Sequence, residues 1–189
     1  VLINKNTYFI HIPRTAGKYI TFLFKANNFV VTLDEFDNKW NNKEIPHLTF
    51  PDYEIFLNFL QCKKFTVVRE PVDRFLSAIN SDVKLNPSTL EKMFKDQETF
   101  NMYLNNLIFN DDSNWYLPQI NFINYDTKIY KYENGLGTQF IKWLEENFNF
   151  KIEKYDSRPY ENIYEINLSD KQKQFVKNYY YKDYKILNY

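Results

Sequence analysis

The sequence predicts an α/β fold built around a mainly parallel sheet. Three observations carry this. Short β-rich runs at 7–12 (TYFIHI), 64–68 (KFTVV) and 128–132 (KIYKY) alternate with stretches of helical spacing. The first two runs are apolar on both faces, as strands of a parallel sheet covered by helices are. The 189 residues contain no internal repeat, low-complexity linker or composition break, so residues 1–189 form a single expected domain.

Taken in order, TYFIHI reads as a buried strand that ends at Pro13, which cannot donate to a central ladder. Residues 18–28 are helical, with Ile20, Leu23 and Phe24 on one face. FVVTL, 29–33, is a short second strand, and 51–61 opens with Pro51 and Asp52, a favourable helix start. After KFTVV, residues 69–80 (REPVDRFLSAIN) turn into a helix. Residues 88–110 are largely helical, with Ser88 as cap and Glu91 three positions on, a capping-box pattern. The strand at 128–132 is followed by a helix at 138–148, and the tail from 169 to 182 is weakly amphipathic.

Composition narrows the classes of function. Lys plus Arg and Asp plus Glu are both 24, so net charge is zero and gives no reason to expect a nucleic-acid partner. A local basic cluster can still hold an anion, because steering depends on how charge is distributed. One cysteine, Cys62, allows no internal disulfide and no cysteine-rich metal site. No run of about 18 apolar residues predicts a membrane span. With no leader pattern at the N-terminus, the expected location is cytoplasmic, and a leader removed before Val1 stays open. Aromatics reach 20%, which a coding bias explains more simply than a sugar-stacking surface does.

In α/β sheets, ligands bind beyond the carboxyl ends of the strands. Two turns lie there. The first, H-I-P-R-T-A-G-K-Y (11–19), joins a strand to a helix start, where unpaired N–H groups and the positive dipole end attract an anion. Gly17 allows close backbone approach, and Arg14 and Lys18 add charge. A nucleotide triphosphatase loop, G-x-x-x-x-G-K-[ST], fits poorly. Ile12 stands where its first glycine would be, and Tyr19 where its metal-holding hydroxyl would be. A P-loop kinase using ATP is therefore disfavoured, while a phosphate cradle is not.

The second turn, VVREPVDRFLSA (67–78), repeats the logic. Arg69 ends a strand, and Arg74 and Ser77 share one face of the helix that follows. A guanidinium and a hydroxyl so placed can close on one phosphate. An ion pair of Arg69 with Glu70, or of Arg74 with Asp73 or Glu70, is the competing structural explanation. Two such turns, about 50 residues apart and each after a buried strand, suit a ligand with phosphates at two separate positions.

Here the residues resemble the PAPS-dependent sulfotransferases, above all their carbohydrate branch. HIPRTAGKY is similar to the family's 5′-phosphosulfate loop, HIPKTAGTS, and VVREPVDRFLSA to its 3′-phosphate motif, VxRDPxxRxxSx. KYENG (131–135) and YYYKDYKILNY (179–189) resemble its later strand and closing segment. The resemblance implies a three-layer, P-loop-kinase-like fold with a central mainly parallel sheet. It also implies PAPS as donor, PAP as product and no metal. By position, Arg14, Thr15, Ala16, Gly17, Lys18 and Tyr19 would hold the 5′-phosphosulfate, and Arg69 and Ser77 the 3′-phosphate. Arg14 replaces the usual lysine, and Lys18 and Tyr19 replace two hydroxyl residues. That replacement keeps open a noncatalytic nucleotide-binding module of the same fold.

Sulfuryl transfer to a hydroxyl needs a cation at the leaving oxygen, a base at the acceptor and alignment. Arg14 is the natural cation. His11 is read as packing beneath the turn. His47, in the irregular stretch IPHLTFPDY, is the expected base, because the heparan sulfate 2-O-sulfotransferase branch has a similar segment with its base histidine there. Glu44 and Asp52 are the fallback. Trp115, Tyr116 and Gln119, in NWYLPQINF, are candidates to face the acceptor, expected to be a saccharide. Arg158 is a weak candidate near the nucleotide.

Overall fold

Alternating side chains decide which way each strand faces. The computed structural model describes residues 1–58, 61–81, 87–109, 114–154 and 166–189, so Arg158 lies outside the described residues. In chain order the elements are β1 (Leu2–Ile3), β2 (Thr7–Ile10), α1 (Gly17–Ala26), β3 (Val31–Thr32), β4 (Lys39–Trp40) and β5 (Lys43–Glu44). They continue as α2 (Asp52–Phe56), β6 (Lys63–Val68), α3 (Pro71–Ser81), α4 (Pro87–Met93) and α5 (Gln97–Phe109). The remainder is β7 (Lys128–Lys131), α6 (Thr138–Phe148), α7 (Asp170–Tyr179) and α8 (Tyr181–Leu187).

The central sheet has five strands in the order β3-β1-β2-β6-β7. β2 pairs in parallel with β6, and β6 with β7. β1 is antiparallel to both β2 and β3, so it alone runs against the other four. The mainly parallel sheet expected from the sequence thus carries an antiparallel edge. It arises because the Asn4–Asn6 turn folds β1 back onto β2, with Asn4 and Lys5 at positive φ. FVVTL contributes only a two-residue strand, and β4 and β5 form a separate small ribbon.

Period-2 alternation sends Phe9, Phe65, Val67 and Tyr130 to one face, where α1 and α6 cover them with Ile20, Phe24, Phe140 and Leu144. Tyr8, Ile10 and Val68 face the other side and pack with Leu48, Tyr53, Phe122 and Leu187. A third apolar cluster belongs to α3, α4, α5 and α7, around Phe75, Met93, Phe100 and Tyr180.

Three helix expectations change. The run at 88–110 is two helices, because Asp96 accepts the Thr99 N–H at 2.8 Å and starts α5 afresh. Ser88 lies inside α4 rather than at its cap, and residue 110 lies outside the described residues. The tail is better formed than its amphipathicity implied, since Ser169 and Gln172 make a capping box at the start of α7. The helix expected at 51–61 is confined to Asp52–Phe56, with residues 59 and 60 outside the described residues. Among the described residues no helix is long and apolar enough to cross a membrane.

Arg74 ties the helical cluster to the sheet. It is fully buried in α3, and its Nη1 and Nη2 donate to the carbonyls of Trp115 (2.9 Å) and Leu117 (2.7 Å). Its guanidinium lies 5.2 Å from the Tyr180 ring centroid. Removing it strands two carbonyls and takes a positive charge away from buried Asp183. Arg74→Ala is expected to cost about 3–5 kcal/mol, read as a lower urea midpoint. Met102→Ser, at an exposed position, should leave that midpoint within error.

Candidate functional site

The first turn is shaped by a histidine. β2 stops at Ile10, and His11 lies beneath the start of α1. A β-carbon built on Gly17 would fall 1.8 Å from both Cδ2 and Nε2 of His11. Gly17 is therefore needed for the approach of this imidazole, whereas the sequence pointed to close approach by an anion. The His11 ring stacks on Phe9 and meets Phe36 and His47 edge-on, with the His47 centroid 4.8 Å away.

Arg14 and Ala16 both take left-handed backbone angles, with φ 69° and 70°. Such strain in non-glycine residues costs about 1–2 kcal/mol each and is concentrated at functional turns. Thr15 turns inward, its hydroxyl donating to the Ile12 carbonyl at 2.8 Å, so this side chain supports the turn from within. Ala16 precedes α1 without a side-chain cap, and the first intrahelical bond runs from Ile20 N–H to Ala16. The amides of Gly17 and Lys18 thus point out of the helix start. Lys18 is exposed, its ammonium 5.4 Å from the Phe36 centroid. The Tyr19 side chain leaves the turn, its hydroxyl donating to the Leu136 carbonyl at 3.5 Å.

The two turns meet. Nε and Nη2 of Arg14 each donate to Ser77 Oγ at 3.2 Å, a contact spanning 63 residues. Trp115 flanks it, with the Arg14 guanidinium 5.7 Å from its ring. Arg69 follows β6 and lies over the Tyr132 ring at 4.8 Å, its Nε buried with no hydrogen-bond partner. Gln119 holds the Arg69 backbone at both groups: Arg69 N–H donates to Oε1 (2.9 Å) and Nε2 donates to the Arg69 carbonyl (2.8 Å). Gln119 is fully buried and serves this grip, and Tyr116 is a core residue, so both side chains are turned away from solvent. Neither arginine forms the ion pair considered for it: Arg74 bonds carbonyls, while Glu70 accepts from Asp73 N–H and the Tyr184 hydroxyl.

His47 closes a 3₁₀ turn, Ile45–His47, and is only 3% exposed. Its carbonyl accepts from Asn114 Nδ2 at 3.0 Å, and its Nδ1 lies 2.7 Å from Glu44 Oε2. Through His11 it reaches the Gly17 turn, so His47, Lys18 and Arg14 surround one neutral imidazole. Burial holds His11 well below the usual histidine range, and His47, Lys18 and Arg14 act in the same direction. Asp52 lies apart, paired with Lys43 at 2.6 Å.

A cavity of about 550 Å³ opens at the opposite, amino end of β6 and β7. Lys63, Lys64 and Lys128 all line it, with Lys64 paired to Asp126 (3.0 Å) and Glu54 (3.2 Å). Burial opposes the Lys64 charge, but the two carboxylates outweigh it and its pKa is raised. Among the described residues, no group of three or more His, Cys, Asp or Glu side chains is placed to hold a metal ion. Comparison with protein-family models, with curated proteins and with solved structures finds no match to this chain.

Two outcomes follow from His11. Gly17→Ala should lower the melting temperature, and adding His11→Ala should recover part of that loss; strictly additive losses would contradict the packing. Unfolded histidine takes up a proton near pH 6.5, whereas folded His11 does not. Stability should therefore fall as pH drops below about 6.5, at up to about 1.4 kcal/mol per unit. His11→Gln is expected to be less stable at pH 7 yet to lose less between pH 7 and 5 than the parent, by thermal melts.

Proposed function

We propose that this protein is a sulfotransferase that moves the sulfuryl group of PAPS to a hydroxyl, on a saccharide, releasing PAP. One observation carries the reading: Arg14 and Ser77, 63 residues apart in the chain and one from each turn, are in direct hydrogen-bond contact at the carboxyl ends of adjacent parallel strands. A ligand with two separated phosphates would find both cradles on one surface. The helices on both faces of the sheet agree with a three-layer, P-loop-kinase-like fold.

In this reading the amides at the start of α1, with Arg14 and Lys18, hold the 5′-phosphosulfate. Arg69, whose Nε is buried without a partner, and Ser77 hold the 3′-phosphate. The acceptor oxygen attacks sulfur, the bond from sulfur to the bridging oxygen breaks, and Arg14 steadies the charge left on PAP. His47 takes the acceptor proton. His47 is only 3% exposed, so in this reading the acceptor hydroxyl must come close to a nearly buried ring. Trp115, beside Arg14, stands where an acceptor ring would pack.

Calorimetric titration with PAP, ADP and ATP, each with and without Mg²⁺, tests the reading. PAP should bind more tightly than ADP and ignore Mg²⁺. A preference for ATP with Mg²⁺ would make the turn a kinase cradle, and binding of none would reject a nucleotide site. Arg69→Ala should weaken PAP about tenfold or more, as expected for a lost charged hydrogen bond, and ADP far less. His47→Ala should abolish transfer while leaving PAP affinity intact. PAP binding without transfer to any hydroxyl acceptor would favour a noncatalytic module.

A further inference from the structure

Arg69 has two carboxylates for neighbours and pairs with neither. Gln119 fixes its backbone at both groups, so only its side chain can change partner. Glu70 follows it directly, and Glu133 Oε1 accepts the Glu70 N–H at 2.6 Å, against the peptide that joins Glu70 to Arg69. Among the described residues Arg69 nevertheless makes no ion pair. Its guanidinium lies over the Tyr132 ring, and its buried Nε has no hydrogen-bond partner. A buried donor left unmatched beside two acids calls for a cause.

Two tyrosines supply it. Glu70 Oε1 accepts the Tyr184 hydroxyl, and its Oε2 accepts the Asp73 N–H at 2.8 Å. Glu133 Oε2 accepts the Tyr189 hydroxyl at 2.9 Å. All four carboxylate oxygens are thus engaged. Local structure brings the two phenols together. Tyr184 lies in α8, Asn188 turns the chain left-handed beyond its end (φ 58°), and Tyr189 N–H returns to the Tyr184 carbonyl at 3.3 Å. Lys131 clamps the same segment: its Nζ donates to the Asn188 carbonyl at 2.7 Å and lies 4.2 Å from the Tyr189 ring centroid. Burial, and after it the Glu70 and Glu133 carboxylates, push both phenols above the usual tyrosine range. Each therefore keeps its proton and stays a donor.

We propose that Tyr184 and Tyr189 are positioning residues for Arg69: by occupying Glu70 and Glu133 they leave its guanidinium to a phosphate monoester. The proposal rests on reading Arg69 as the residue that holds the 3′-phosphate. A carboxylate and a phosphate compete for one guanidinium, because both accept the same forked N–H groups. With the tyrosines in place, the two acids are occupied by donors of the protein and the cation is kept for the ligand. In this role neither phenol touches the nucleotide; each acts through a glutamate.

The test combines Tyr184→Phe with Tyr189→Phe, which keeps both rings and removes both hydroxyls. The Arg69 Nε–H resonance of the full chain, read by NMR without nucleotide, should move as a released carboxylate pairs with the guanidinium. Adding Glu70→Gln and Glu133→Gln should return it towards the parent position. By calorimetry the tyrosine variant should bind PAP about fivefold more weakly, since an arginine–carboxylate pair must first be broken, with ADP affinity unchanged. The two glutamines should recover PAP binding, which a loss of packing would not allow. An Arg69 resonance unmoved by the tyrosine changes would overturn the proposal, as would a PAP loss that ADP shares or that the glutamines leave in place. Failure of the sulfotransferase reading shows separately, as absence of PAP binding to the parent protein. Inorganic phosphate titrated against the Arg69 resonance then decides the proposal, which fails if phosphate shifts it no more in the parent than in the tyrosine variant.

Discussion

A stretch of chain with little regular structure must find partners for its buried peptide groups, and here that constraint falls on residues 115–118 and the start of the 3₁₀ turn Gln119–Phe122. The solution draws on four buried polar side chains, one of them Tyr180, whose hydroxyl donates to the Tyr116 carbonyl at 2.8 Å. Arg74 donates to the carbonyls of Trp115 and Leu117, Asp183 accepts the N–H groups of Gln119 and Ile120, and Gln119 itself binds the backbone of Arg69. Burial pushes the Asp183 carboxyl up, opposed by those two N–H bonds and by the Arg74 charge. The position of Arg69 beyond β6, of Trp115 beside Arg14, and of α8 on the sheet all follow from this arrangement.

The first turn obeys a different logic. It is held by exclusion of volume: the His11 ring occupies the space that any side chain at position 17 would need. Two left-handed residues, Arg14 and Ala16, bend the chain so that a guanidinium leaves the turn towards α3 at the start of α1. Arg14, Lys18 and Arg69 lie at one end of the sheet, and Lys64 at the other end is paired with Glu54 and Asp126.

Much of this was legible in the chain. β2, β6 and β7, with α1, α3 and α6, lie within one or two residues of where hydrophobic periodicity and turn residues put them, since each buries a continuous apolar face. Elements that draw their stability from elsewhere were not legible. β1 and β3 are two residues long; β1 pairs on the edge that β2 offers, and β3 on β1. The break between α4 and α5 was written as D-Q-E-T, 96–99, but the apolar spacing runs across it. At the site, the charged residues were visible, and so was the helical spacing that aims Ser77. The grip of Gln119 on Arg69 was not, because nothing local distinguishes an amide that binds a ligand from one that binds a backbone 50 residues away. His11 was read as structural, and its role in dictating a glycine became visible only in three dimensions.

The apolar cluster of α3, α4, α5 and α7 shares no residue with the two clusters on the sheet. Several of the contacts joining them near the site are polar: Arg14 to Ser77, Arg74 to Trp115 and Leu117, and Tyr184 to Glu70. Cooperative units of a protein open at different free energies, and boundaries poor in apolar contact open first. The chemistry-bearing side chains therefore straddle a seam between two separately cohesive halves. Under gentle denaturing stress Arg14 and Ser77 would part company while each half kept its interior, and the molecule would lose its site before it lost its fold.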